Sequence, residues 1–282
     1  MAGDARGNLR RGISDRDTLW LYKFYASNER AIIGTSGVFL FLCVWEYTGG
    51  IAKLINPLFL SAPSRILKAG YDLFASGEIY NDLWVSGVEL ALGFLLAIVT
   101  AIPLGLLAGW YRRFNYLCEP FLDALNATPR VALLPLIIIW VGIGIWSKVL
   151  IVYLGAFFPI VINTLAGVRT TDVRLLKAAR SFKANDAKLF TSVILPSTVP
   201  FIMAGLRQGL GRALVGVVVG ELYAATAGVG FMITVAGATF QTDKVFVGVL
   251  IIAAAGVVLT KALERIEHRF EKWRPHFEGL GY

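Results

Sequence analysis

Histidine and cysteine are nearly missing, with two of each in 282 residues. Cys43 lies inside an apolar run and Cys118 near an arginine pair, so neither a disulfide framework nor a thiolate metal site can be built from them. His268 and His276 both sit in the charged tail, too few and too isolated for metal binding or catalysis. No Gly-Lys dipeptide occurs anywhere, which excludes a Walker-type phosphate loop, so any ATP would be hydrolysed by another chain. Charge is scarce: 16% of residues, against about 25% in soluble domains. The first thirty residues carry Arg6, Arg10, Arg11, Arg16, Lys23 and Arg30 without the apolar core of a cleavable signal peptide. A polytopic membrane enzyme would need His, Asp, Glu or Ser grouped at the membrane face, and the sequence shows no such group.

What the chain has in abundance is apolar length. Hydrophobic residues make up 56% of it, and a run of about 20 is enough to cross a bilayer. Six runs qualify, near Ala31–Tyr47, Val88–Trp110, Leu125–Ile145, Val149–Val168, Val199–Leu222 and Val245–Leu263. The third contains Arg130, and its apolar part starts only at Val131. The expected fold is all-α: a polytopic membrane protein with six transmembrane helices. The net charge of +8 describes topology rather than nucleic-acid binding. With both termini cytoplasmic, twenty Lys and Arg residues fall on inner segments and five (Lys53, Arg65, Lys68, Lys148, Lys244) on outer ones. Before the first span, Ser14 and Asp17 have capping-box spacing and precede Leu19, Trp20, Tyr22 and Phe24, which suits a short interfacial helix. Pro57 and Pro63 break the first outer segment, and a helix is expected from Ser64.

Two spans carry small residues at helical intervals. Ala97, Ala101, Gly105 and Gly109 form one stripe, and Gly205 with Gly209, then Gly216 with Gly220, form another. Such stripes allow close backbone approach and predict packing rather than chemistry. The fifth span also contains Arg207, Arg212 and Glu221. From a start near Thr198 they lie about 14, 21 and 34 Å along the axis. Charges at such depth face a partner or a cavity, so these three are the candidate pathway residues. Pairing with a neighbouring helix is favoured for Arg207. "AATAGVGFMI", Ala224 to Ile233, suits a tightly turned or re-entrant segment.

One stretch does not fit a lipid environment: "KAARSFKANDAKLFTSVILP", Lys177 to Pro196. Leu175, Ala179 and Phe182 recur at helical spacing, and Leu189, Phe190 and Val193 form a second apolar face after the polar break at Lys183, Asn185 and Asp186. Two short helices joined by a turn are predicted, with Pro196 and Pro200 marking a helix boundary. The stretch resembles the cytoplasmic loop of permeases of type I ATP-driven importers. That loop reads Glu-Ala-Ala, three residues, Gly, nine residues, Ile, any residue, Leu-Pro. The corresponding residues are Lys177, Ala178 and Ala179, then Lys183, Val193, Leu195 and Pro196, with Lys177 replacing the glutamate and Lys183 the glycine. "VALLPLIIIWVGIGIWSKVLIVYLGAFFPIVINTLAGVR", "GLRQGLGRALVGVVVGELYA" and "GVGFMI" are similar to the sulfonate, taurine and nitrate branch of that family. The resemblance extends from about Pro57 to Arg265.

The resemblance implies a multi-pass permease subunit of the bacterial inner membrane, without catalytic residues or a cofactor of its own. It implies a second permease copy, two ATPase subunits that bind ATP and Mg, and an extracytoplasmic protein that delivers a small anion such as a sulfonate, taurine, nitrate or a related carboxylate. The coupling loop would span residues 171–196, with Lys177, Ala178, Ala179, Ser181, Phe182, Lys183, Ala184, Leu195 and Pro196 against the ATPase. The chain then divides into a cytoplasmic segment (1–30), the first span with its outer segment (31–81), the permease core (82–264) and a cytoplasmic tail (265–282). A left-handed backbone suits glycine at position 183, so with lysine there the turn is expected to shift to Asn185. The alternative is a membrane receptor or scaffold without transport activity.

Overall fold

The computed structural model describes residues 15–269 other than 53, 55 and 57, with side chains from residue 28 onward. Ser14, Pro57, His276 and the tail beyond 269 lie outside the described residues. Within them there are eleven α-helices, two π-helical turns and one 3-10 turn, and no strand. Five helices are long and apolar enough to cross a membrane, or six if one bent pair counts as a single span.

The chain divides into two compact units, Met1–Arg65 and Ile66–Tyr282. In the first, helix α1 (Asp15–Trp45) runs without a break from the stretch expected to form a separate interfacial helix into the first span. None of its described side chains is buried. A π-helical turn, Glu46–Ile51, follows. Glu46 secures the returning chain: its carboxylate accepts from Ser64 N at 2.9 Å and Ser64 Oγ at 2.7 Å. Trp45 Nε1 donates to Ser61 O at 2.8 Å.

Helix α2 (Pro63–Ser76) starts where the prolines predicted it. Gly77, at φ 81, turns the chain into α3 (Glu78–Trp110). The third expected span is not one helix. Helix α4 (Arg112–Ala127) ends before Pro129, and a 3-10 turn, Arg130–Leu133, leads into α5 (Leu134–Val141), with a bend of 93°. The cause is local. Pro129 restricts Thr128, which adopts an extended φ of -72° and ψ of 128° and ends the helix.

Helix α6 (Ile145–Arg169) is the centre of the second unit, packed between α3 and α9 (Leu195–Ala224). Both small-residue stripes point at it, as their spacing predicted. Gly93, Gly105 and Gly109 meet Val152, Thr164 and Val168, a constant offset of 59 that makes α3 and α6 parallel. A methyl group on Gly105 would sit 2.7 Å from Thr164 Cβ and 2.8 Å from Val161 O. From the other side, Gly205, Gly209, Gly216 and Gly220 meet Ile160, Ala156, Val152 and Lys148, so α9 runs antiparallel to α6. Without these glycines the backbones could not approach this closely.

Between α6 and α9 lie α7 (Val173–Ser181) and α8 (Asp186–Leu189), then a π-helical turn, Phe190–Ile194. Pro196 does not interrupt the chain, as was expected of it. It follows directly on the π-helical turn at the start of α9, and the rod from Asp186 to Ala224 is continuous. After α9, Gly228 at φ 121 opens α10 (Val229–Ala238), too short to cross a membrane. Helix α11 (Thr242–His268) then packs on α9 and α10.

Candidate functional site

Asp172 caps α7 by accepting from Arg174 N at 2.8 Å, and Asn185 caps α8 by accepting from Lys188 N at 2.9 Å. Between them the chain reverses through a Schellman motif. Ala184 N donates to Ala179 O at 3.1 Å and Lys183 N to Arg180 O at 2.9 Å. The motif requires a left-handed residue at its fifth position, and Lys183 supplies it at φ 57. The expected shift to Asn185 is therefore wrong: Asn185 has φ -74° and serves as a cap. The hydrogen bonds of α7 and its exit fix which residue turns, and lysine bears the strain there.

The loop end presents exposed apolar surface, uncovered by the described residues. No residue of α7 is buried, Val173 and Leu175 are exposed, and the Phe182 side chain is 88% exposed at the tip. Lys177, Ala178, Ser181 and Lys183 are also exposed, and Ala179 and Ala184 half-buried. Leu195 and Pro196 are half-buried at the root of α9. Residues 169–188 contain six basic and two acidic side chains.

The three charges of α9 have different surroundings. Arg207 forms an ion pair with Glu267 of α11, as favoured from the sequence. Arg212 is exposed and lines a cavity of about 250 Å³. Glu221 is 1% exposed and joins a cluster at the opposite end of the bundle from the loop. Its Oε1 accepts from Ser86 Oγ at 2.5 Å and its Oε2 from Gly230 N at 2.6 Å. Ser86 Oγ also accepts from Val229 N at 2.9 Å, and Asp82 Oδ1 accepts from Gly228 N at 2.8 Å. Three side chains from α3 and α9 thus satisfy the free N–H groups at the start of α10, where a helix terminus favours negative charge. Glu221 also fills the space a side chain at 228 would need.

Beside this cluster Lys148 Nζ lies 2.6 Å from Glu89 Oε1, with side chains 6% and 0% exposed. Sequence reading missed the pair. Lys148 looked like an outer-loop charge because it precedes an apolar run, and Glu89 was absorbed into the second span. Residues 59 positions apart join only because α3 and α6 are parallel in this register. No group of three or more His, Cys, Asp or Glu suited to a metal occurs among the described residues.

Residues 101–272 match the family described as binding-protein-dependent transport system inner membrane component. The chain belongs to that family. A putative aliphatic sulfonates transport permease of Bacillus subtilis (strain 168) is 37% identical over 238 residues, covering 84% of this chain and 86% of the relative. A taurine transport system permease of Escherichia coli (strain K12) is 36% identical over 246 residues, covering 86% and 88%. The crystal structure of an amino acid ABC transporter contains a chain of the same fold, with a TM-score of 0.51 at 22% identity, covering 71% of this chain and 97% of that one. The chain is accordingly a multi-pass inner-membrane permease, a transport component and not an enzyme. Members of the family work with an ATPase subunit and a substrate-binding protein. Neither relative is named as a receptor or scaffold, and that alternative has no support.

Proposed function

We propose that the permease carries a small aliphatic sulfonate or taurine inward as a homodimer, with two ATPase subunits that bind ATP and Mg. The substrate class follows the relatives' names. The observation that carries the coupling role is the loop Val173–Leu189: a capped, turned helix pair whose apolar tip, Phe182, is left 88% exposed by the described residues. Such a face suits a groove in an ATPase, and a short helix held in a moving partner passes its displacement to the spans on either side.

Six crossings with both termini cytoplasmic is the topology we favour. Because α3 and α6 are parallel, residues 111–144 have to return the chain to its starting end, so the bent α4–α5 pair acts as a crossing. Arg112, Arg113, Arg169, the loop's basic residues, Lys261 and Arg265 gather at one end, which supports a cytoplasmic assignment for it. Lys148, buried against Glu89, drops out of the outer count. Of the candidate pathway residues, Arg212 faces the path, while Arg207 and Glu221 fix the helices beside it.

Co-expression with an ATPase subunit of this importer class tests the coupling role. The intact chain should bring down the ATPase, and Phe182→Asp or deletion of residues 181–188 should not. Burial of one phenylalanine contributes about 1.5–3 kcal/mol, so Phe182→Ala should weaken association roughly tenfold or more. Its own melting temperature should stay unchanged, since the side chain is 88% exposed. Equal recovery of the ATPase with all variants would refute the coupling role.

A further inference from the structure

The α4–α5 break and α9 bring two arginines to one cavity. Arg130 opens the 3-10 turn at the 93° bend, Arg212 lies on α9, and both line the same space of about 250 Å³ with Val131, Ile151, Val215 and Val219. Neither guanidinium forms an ion pair among the described residues. Arg130 Nη2 donates to Asn126 Oδ1 at 3.2 Å and its guanidinium lies 5.5 Å from the Phe158 ring centroid, but its Nε is buried with no hydrogen-bond partner. A buried donor left unpaired is costly. Two cations on one apolar-walled cavity also repel each other more strongly than they would in water.

We propose that this cavity is a binding site for an oxyanion head group carried on a short apolar chain. The inference rests on the transport reading above and adds Arg130, which the sequence placed as an awkward charge in a span and counted with the cytoplasmic basic residues. Guanidinium groups pair with oxyanions through forked, charge-assisted hydrogen bonds. Two of them match a sulfonate, whose three oxygens share one negative charge, and the four aliphatic side chains match its carbon chain. The volume is below the roughly 300–1,000 Å³ typical of sites for drug-sized ligands, so the ligand is small. The depth fits as well. The Arg212 carbonyl lies 2.9 Å from a methyl group built on Gly155, the eleventh of 25 residues in α6, which puts the site near the middle of the bundle. Secondary transporters commonly bind substrate at that depth, beside interrupted helices.

The test is titration of the purified permease–ATPase complex, in nanodiscs, with ethanesulfonate followed by isothermal calorimetry. Wild type should bind it, and Arg212→Gln and Arg130→Gln should each weaken binding roughly ten- to a hundredfold, the range for losing hydrogen bonds to a charged group. Co-purification of the ATPase is scored separately, so a failed coupling role and a failed site give different results. Where a Gln variant fails to assemble, the Lys variant replaces it: charge is kept, the fork is lost, and binding should fall by a smaller factor. A series from methanesulfonate to dodecanesulfonate separates sources of the head group. Affinity that peaks at a few carbons supports a substrate site, and affinity that climbs to the longest chain identifies a lipid and overturns the proposal. No binding by wild type, or equal binding by both Gln variants, overturns it too.

Discussion

Replacing Lys183 with glycine should tighten the turn between α7 and α8. The left-handed conformation that Lys183 holds at φ 57 costs an L-residue about 1–2 kcal/mol. Glycine removes that cost but has more freedom to lose, about 0.5–1 kcal/mol. The difference leaves about 0.5–1 kcal/mol in favour of glycine, or roughly a two- to fivefold shift in the local opening equilibrium. Two amides report it directly, because residue 183 donates to Arg180 O and Ala184 to Ala179 O. Hydrogen exchange over residues 177–190, corrected for intrinsic rates, should slow by that factor in Lys183→Gly. Lys183→Val should do the reverse, since a β-branched residue fits positive φ worse than lysine does. ATPase coupling should survive the glycine change, which preserves every hydrogen bond of the turn. Unchanged exchange in both variants would refute a strained turn at 183, and loss of coupling with intact protection would mean that the lysine side chain makes a specific contact with the ATPase.

Three further outcomes follow from the helix packing. Lys148→Met leaves Glu89 charged and buried, which should cost about 3–5 kcal/mol, whereas Lys148→Met with Glu89→Leu should restore most of the loss; thermal unfolding of the purified complex would measure the cycle, and equal destabilisation of single and double variants would contradict an ion pair. Gly105→Ala should cost about 1–3 kcal/mol by forcing α3 from α6, while Gly87→Ala on the same helix, with nothing within 4 Å, should be neutral or slightly stabilising in the same assay. Glu221→Ala leaves the Gly230 N–H unpaired in a buried site, so hydrogen exchange over Val229–Ala238 should accelerate well before the rest of the bundle opens.

Legibility of the fold in the sequence followed the range of the forces involved. Apolar runs and four-residue stripes are local and repeated, so the long helices and the faces of α3 and α9 were readable. The break at Arg130 was half-readable: its charge marked a faulty span, but the deciding residue was Pro129, one position earlier, acting on Thr128. At Lys183 residue preference pointed to Asn185, while the hydrogen-bond pattern ending α7 left one position for the left-handed residue. Preference was the weaker of the two effects, at about 1 kcal/mol against two hydrogen bonds. The Lys148–Glu89 pair and the Arg130–Arg212 cavity had no local signal, because each depends on helix register that only the assembled bundle defines.

The same register links the two candidate sites. From Asp186 to Ala224 the chain is one helical rod, and the 26 residues between Asp186 and Arg212 span about 39 Å at 1.5 Å per residue. Along that rod the first turns, with a π-helical segment at Phe190–Ile194 and then Pro196 and Pro200, lack part of the regular hydrogen-bond ladder. Beyond them the rod is held to α6 through Gly205, Gly209 and Gly216 by backbone-close contacts. On the proposed coupling role, a displacement of α8 would meet this irregular segment first and then reach the part of α9 that carries Arg212. On the other side the chain enters α6 through Thr170–Asp172, where Asp172 is extended and the helix is interrupted. Of the two connections to the loop, the α9 side is the unbroken helical one, and it is the side that carries the arginine.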